Sequence, residues 1–276
     1  MLPFVMTCDT FNNRLPVVSP MSNDAVVISM GGSVMIPEKP SADFIRDFAT
    51  ILQGSEKKVY VVIGGGKLAR HYISIARELG CDEGFLDEIG IDATRLNARL
   101  LIAALGTDAY PVPAKNFDES VIRGREFRFV IMGGTHPGHT TDGVAAMLAE
   151  RLRAERLIIA TNVRGVYTAD PKKHPEAELF KKMSSEKLLE IASAMEGGAG
   201  KSAVLDPLAA RLVLRTRIPT LVCDGRKLEV VSEAISGSLD TLGMDFNGTF
   251  ISSGAKIVMD NENRGTEIGG NQQEVD

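Results

Sequence analysis

Unbroken apolar runs alternate along this chain with stretches in which large apolar residues recur every three or four positions. Ala25-Val26-Val27-Ile28 is the first such run. Its lack of polar alternation is that of a strand buried on both faces in a parallel sheet. Phe44, Ile45, Phe48, Ile51 and Leu52 follow at helical spacing. The unit then repeats: Val59 to Ile63 predicts a strand, Gly64-Gly65-Gly66 a turn, and Leu68, Tyr72, Ile75, Ala76 and Leu79 a helix face closed by Gly80. A second helix is predicted over about 85–105, stopped by Gly106.

Phe127 to Met132 predicts the next buried strand, Gly133-Gly134 a turn into a polar loop, and about 141–152 a helix. Leu157 to Ala160 predicts another strand, followed by a long irregular stretch over 161–182. Helices are predicted near 185–195 and 207–216, with the polar loop Gly197 to Lys201 between them, then a strand at Thr220 to Cys223 and a helix near 228–236. Strands alternating with helices imply an α/β fold, a three-layer αβα sandwich around a mainly parallel sheet. No stretch reads as a linker, so residues 25–252 are expected to form one domain with two lobes. Residues 1–24 lack periodicity and read as a weakly ordered arm. Residues 253–276 are poor in large apolar residues and read as a disordered tail.

Composition narrows the class. With 44% hydrophobic and 24% charged residues over 276 positions, the chain can bury a core without disulfides or metals. A net charge of -5 argues against a basic nucleic-acid-binding surface, so any phosphate must be held by loops and a few cations. Cys8, Cys81 and Cys223 are scattered and unpaired in pattern, which fits a reducing, cytoplasmic compartment. The short apolar patch from Leu2 to Met6 has neither the basic flank of a signal peptide nor the length of a membrane span.

Ligands of open α/β sheets sit off the carboxyl ends of the strands. Three glycine clusters lie at such ends here: Gly31-Gly32-Ser33, Gly64-Gly65-Gly66 and Gly133-Gly134. Glycine lets backbone N–H groups converge on an anion, and a helix N-terminus adds a favourable dipole. A single cluster is explained equally well by the sterics of a βα turn, whereas three on one edge suggest a ligand with several phosphates or two phosphorylated ligands. A P-loop is excluded, because Val61 and Leu68 stand where it needs glycine and Ser or Thr. Gly64, Gly66 and Ala69 do fit a dinucleotide fingerprint, but a long helix follows where that fold expects a strand ending in an acid.

The segment Gly133 to Asp142 is rich in hydroxyl and imidazole groups. His136 and His139 at i, i+3 have no third ligand of their kind nearby, so a phosphate or sugar cradle is favoured over a metal site, and the plain alternative is a turning loop with Asp142 capping the next helix. Thr161, Asn162 and Asp170 offer hydrogen bonds suited to a ribose or base, and Tyr167 offers a flat face; alone, they also suit a well-packed surface loop.

Together these segments resemble the amino-acid kinase family, and within it the archaeal-type uridylate kinases. The matching runs, in the family's order, are Val27 to Ser33, Gly64 to Tyr72, Asp87 to Ile91 with Thr94 to Ala98, Gly133 to Asp142, Thr161 to Pro171 and Asp206 to Ala210. The resemblance implies phosphoryl transfer from ATP, with Mg²⁺, to UMP, by a homo-oligomer, a hexamer. It implies a UMP-binding lobe over about 25–155 and an ATP-binding lobe over about 156–252. It puts ATP phosphates near Gly31, Gly32, Ser33, Gly66 and Arg70, and the ATP nucleoside near Thr161, Asn162, Tyr167 and Asp170. UMP falls against Gly65, Asp87 and the loop Thr135, His136, Pro137, Gly138, His139, Thr140 and Thr141. Asp206 falls where relatives have an acid that organises the phosphoryl site. Many members carry a lysine where this chain has Ser29; Lys67, Arg70 and Lys201 are candidates to replace its charge, and Arg70, Asp206 and Lys67 are the candidate catalytic residues. Other kinases of this fold acting on small carboxylates or isoprenoid phosphates, or a nucleotide- or oxyanion-storage protein without turnover, are the competing expectations.

Overall fold

The computed structural model describes residues 24–37, 41–196 and 205–260. The N-terminal arm through residue 23, the loop carrying Lys201 and the tail from residue 261 lie outside the described residues. The chain runs β1 (Ala25–Met30), α1 (Gly32–Met35), α2 (Ala42–Gly54), β2 (Lys58–Ile63), α3 (Gly66–Glu78), α4 (Glu83–Leu105), α5 (Phe117–Arg123), β3 (Phe129–Met132), α6 (Thr141–Leu152) and β4 (Arg156–Thr161). It continues through β5 (Phe180–Met183), α7 (Ser185–Glu196), α8 (Pro207–Thr216), β6 (Thr220–Asp224), α9 (Leu228–Ser236), α10 (Leu239–Asp245), β7 (Thr249–Ile251) and β8 (Val258–Met259).

The eight strands of the described residues join one sheet in the order β3-β2-β1-β4-β6-β7-β5-β8. The first five in that order are parallel; β7 is antiparallel to β6, β5 parallel to β7, and β8 antiparallel to β5. β1 is central, with Ser29 paired to Val62 of β2 and Ile159 of β4. Side chains alternate across its two faces. Val26, Ile28 and Met30 pack into one layer with Phe48 and Leu52 of α2, Leu101 of α4 and Val231 of α9. Ala25 and Val27 face the other layer with Val144 and Leu148 of α6 and Ala209 and Val213 of α8. This is the expected αβα sandwich.

The helix ends explain themselves locally. Ser41 caps α2 by accepting from the Asp43 amide at 3.1 Å, Asp82 caps α4 at 2.9 Å from Phe85 N, and Asp206 caps α8, whose first residue is Pro207. Two expectations need correction. The stretch over 161–182 is not irregular throughout, since it ends in β5, which the flanking β7 and β8 complete. Nor does order stop at residue 252: Val258–Met259 pairs with β5, and the Asp260 amide donates to Leu179 O at 2.9 Å, so the chain is structured through 260. A two-residue edge strand has too few positions to show a period; its backbone hydrogen bonds, not apolar content, hold it.

Candidate active site

The first two glycine loops touch through bare backbone at the carboxyl edge of the sheet. A Cβ on Gly32 would lie 2.2 Å from Gly66 N, and one on Gly66 would lie 2.5 Å from Gly32 O. Gly66 also has φ +64, which disfavours any side chain. Gly31 N donates to Ala160 O at 2.9 Å and Gly64 N to Met30 O at 2.9 Å, fixing each loop to a neighbouring strand end. Asn97 of α4, buried, donates through Nδ2 to Gly64 O at 2.9 Å and Gly65 O at 3.2 Å. No side chain among the described residues caps α3 at Gly65, so the first amides of this 13-residue helix are available to an anion. Lys67 and Arg70 lie on its first turns, both exposed, beside Ser33 of α1 in the interlocked pair of loops.

The third loop hangs on α4. Thr94 Oγ1 donates to Ile91 O at 2.5 Å and accepts from Gly134 N at 2.7 Å, and a Cβ on Gly133 would lie 2.3 Å from that hydroxyl. Further on, Gly138 N donates to Asp87 Oδ2 at 2.7 Å. The structure therefore brings Asp87 to the 135–141 loop. His136, Pro137, Gly138 and His139 are exposed, with the imidazole rings 6.2 Å apart. The Thr135 hydroxyl is buried and has no hydrogen-bond partner among the described residues. An orphaned buried hydroxyl is costly, and a ligand that pairs with it recovers the loss.

The end of the loop rules out the plain alternative's cap. Thr140, not Asp142, caps α6, accepting from Gly143 N at 3.0 Å. Thr140 Oγ1 also donates to Asp206 Oδ2, whose other oxygen accepts from Leu208 N at 2.8 Å and Ala209 N at 3.0 Å. Asp142 turns to the sheet instead, where it accepts from Ser29 Oγ at 2.6 Å. Residue 142 keeps some surface, but its carboxyl group lies in dense surroundings. Burial pushes its pKa up to about 6; the Ser29 hydrogen bond opposes this and the Asp206 charge adds to it. Ser29 and Asp142 are thus partners that the sequence reading did not join. The available signal was a lone polar residue in an apolar run.

On the far side of β4, Thr161 O accepts from Gly225 N at 2.8 Å. The loop that follows is sewn to the sheet: Val166 N donates to Thr249 Oγ1 at 2.8 Å, Phe180 N to Val166 O at 2.9 Å and Thr168 N to Glu178 O at 3.0 Å. Asn162, Tyr167 and Asp170 are half-buried, and Asp170 Oδ1 accepts from Lys172 N at 3.0 Å, closing a turn. Tyr167 forms an antiparallel bridge with Leu179 within the stretch between β4 and β5. Among the described residues no three His, Cys, Asp or Glu side chains gather to hold a metal ion, and no helix is long and apolar enough to cross a membrane.

Comparison with known proteins identifies the family and the fold. The chain is 46% identical over 214 residues to the uridylate kinase of Thermococcus kodakarensis, covering 77% of this chain and 95% of that protein. It is 47% identical over 212 residues to the uridylate kinase of Methanoregula boonei, covering 76% and 90%. The solved structure of uridylate kinase from Archaeoglobus fulgidus superposes with a TM-score of 0.72 at 44% identity, covering 82% of this chain and 99% of that one. A UMP kinase from Bacillus anthracis shares the fold at 21% identity, with a TM-score of 0.67. The pattern of the Amino acid kinase family matches residues 24–224, and the chain belongs to that family.

Proposed function

We propose that this chain is a uridylate kinase, transferring the γ-phosphoryl group of ATP to the phosphate of UMP, reversibly, with UDP and ADP as products, in pyrimidine nucleotide synthesis. The observation that carries the reading is the interlock of Gly32 with Gly66 beside a third loop held by Asp87 and Thr94, all at one carboxyl edge. Two phosphorylated ligands meeting end to end need such a crevice. The identity to uridylate kinases over nearly their whole length supports the same reading.

In this reading Gly31, Gly32, Ser33, Gly66 and Arg70 take the ATP phosphates, and Thr161, Asn162, Tyr167 and Asp170 take its nucleoside. UMP lies against Gly65, Asp87 and the 135–141 loop, in the lobe of residues 25–155. Phosphoryl transfer between two phosphates needs in-line placement and positive charge where negative charge spreads, but no general base, because the acceptor phosphate is already ionised near neutral pH. Ser29 is 1% exposed and committed to Asp142, so it supplies no charge in place of the family's lysine. Arg70, exposed on α3 and without a side-chain hydrogen bond or ion pair among the described residues, is the cation we assign to the migrating group, with Lys67 beside it. Mg²⁺ bound to the ATP phosphates would neutralise charge there, and Asp142 and Asp206 are the carboxylates of this crevice that suit it or its waters. Thr140, by joining the 135–141 loop to Asp206, ties the UMP side to that acid.

The homo-oligomer expected from the resemblance is supported by an apolar face on α3 and α4. Tyr72, Ile75, Leu79, Phe85, Leu96 and Leu100 are all exposed there, Leu79 at 78%. Scattered exposed apolar residues are ordinary, whereas a row along two packed helices suits a subunit contact. The functional reading is tested by UDP formation from UMP and MgATP in purified protein. Absence of UDP, or equal use of UMP and CMP, would sink the uridylate assignment.

A further inference from the structure

The family pattern ends at residue 224, yet the chain continues into a strap that returns to the sheet. After β7, residues 252–257 lead into β8, which lies antiparallel on the outer edge of β5. At its end the Asp260 amide donates to Leu179 O at 2.9 Å, and the Asp260 carboxylate accepts from Arg164 Nη1 at 2.8 Å. Lys181 Nζ lies 3.9 Å from the same oxygen. The pair is well covered, with side chains 11% exposed at Asp260 and 31% at Arg164.

Arg164 stands in the loop that leaves β4 and holds two parts of the C-terminal region at once, because its Nε also donates to Asn247 Oδ1 at 2.8 Å. One residue on, Gly165 is pressed against β7, where a Cβ would lie 2.4 Å from Thr249 Oγ1. Two residues later comes Tyr167. Burial raises its phenol pKa, Arg164 lowers it, and Asp260 and Asp224 raise it again, so the ring lies within the field of the same ion pair. An exposed ion pair contributes little, but a covered, charge-assisted bond that fixes a loop is worth more.

We infer that Asp260 is a positioning residue for ATP: by anchoring Arg164 it fixes the 161–170 loop in the shape that receives the nucleoside. The inference rests on the assignment of that loop to ATP made above. Asp260 touches no reacting atom. Its role is to spare the nucleotide the cost of ordering the loop, since a site that is only fractionally in its binding shape loses affinity by that fraction. The strap then serves the donor side alone, and the acceptor loop on α4 is left as it is.

The test uses the full chain and steady-state kinetics with each substrate varied. Asp260→Ala is expected to raise the KM for ATP on the order of tenfold, the size of one lost charge-assisted bond. kcat at saturating ATP and the KM for UMP should stay within about twofold. Asp260→Glu, which keeps the charge, should restore most of the ATP affinity, and ADP binding by calorimetry should follow the same order. An unchanged KM for ATP in Asp260→Ala overturns the inference. So does a parallel change in both KM values and in Tm, which would make the strap a plain stabiliser. Asp170→Asn separates this from the parent reading. If Asp170→Asn raises the KM for ATP and Asp260→Ala does not, only the positioning role falls; if Asp170→Asn leaves it unchanged, the ATP assignment of the loop falls as well.

Discussion

Asp142→Asn should make this protein more stable at neutral pH while damaging its catalysis. The Asp142 carboxyl is raised from 3.8 to about 6 in the fold, chiefly by burial. A raised carboxylate holds its proton more tightly in the folded than in the unfolded chain. Its contribution to stability is therefore fully present below about pH 4 and is lost as pH rises through about 6. The interval between 3.8 and about 6 corresponds to at most about 3 kcal/mol at neutral pH. Asparagine cannot ionise, and its Oδ1 can still accept the Ser29 hydroxyl, which sits at 2.6 Å in the native pair. The variant should melt about 5 °C above the native protein at about pH 7.5 and nearly level with it at about pH 4. Thermal unfolding without nucleotide or Mg²⁺ reads this, since a bound cation would itself favour the ionised acid. Turnover with MgATP and UMP should fall on the order of tenfold or more, as expected for a lost charge at the phosphoryl site. An equal gain at both pH values, or a lower melting temperature at pH about 7.5, would refute the argument that burial of a charge is what Asp142 costs the fold.

Arg70→Ala should lower turnover on the order of 100-fold with an unchanged melting curve, since the side chain is exposed and in its proposed role serves only the migrating charge; near-normal turnover removes it from the site. Base choice is best probed at Thr135, whose buried hydroxyl lacks a partner among the described residues: Thr135→Val should cut the preference in kcat/KM for UMP over CMP on the order of tenfold or more without loss of stability, and an unchanged ratio would place the base elsewhere. Asp87 is a poorer probe of UMP contacts than its position suggests, because Asp87 Oδ2 also holds Gly138 N. Light scattering at micromolar protein should give an oligomer, and Leu96→Glu with Leu100→Glu should dissociate it; a native monomer would refute the subunit contact on α4.

The sequence made the parallel half of the sheet plain. β1, β2, β4 and β6 are buried on both faces, so each is an apolar run with no other physical use. Glycine marked the loops because Gly32 and Gly66 meet backbone to backbone, where any side chain would collide. The antiparallel half was hidden. β7 and β8 have three and two residues, and β5 reads Phe-Lys-Lys-Met, so none offers a period. The same limit applied to pairs. Ser29 and Asp142 are 113 positions apart, and Thr140 and Asp206 are 66 apart, and nothing in local spacing joins them. Asp87 and the 135–141 loop were assigned to one ligand through the resemblance, but the bond between them is a product of the fold.

The central place of β1 has a consequence for how the chain comes into being. β1 pairs with β2 soon after it is made, but its other edge waits for β4, whose partner residues begin at Arg156. Until then a strand apolar but for Ser29 presents an open edge, the kind of surface that invites pairing with another chain. β4 in turn waits for β6, and the edge of β5 for β7 and β8. Contacts so distant in sequence make folding slow relative to helical bundles. On the ribosome the half of the sheet built from β1, β2 and β3 would therefore take shape first, and the half around β5 would close only once β7 and β8 are made.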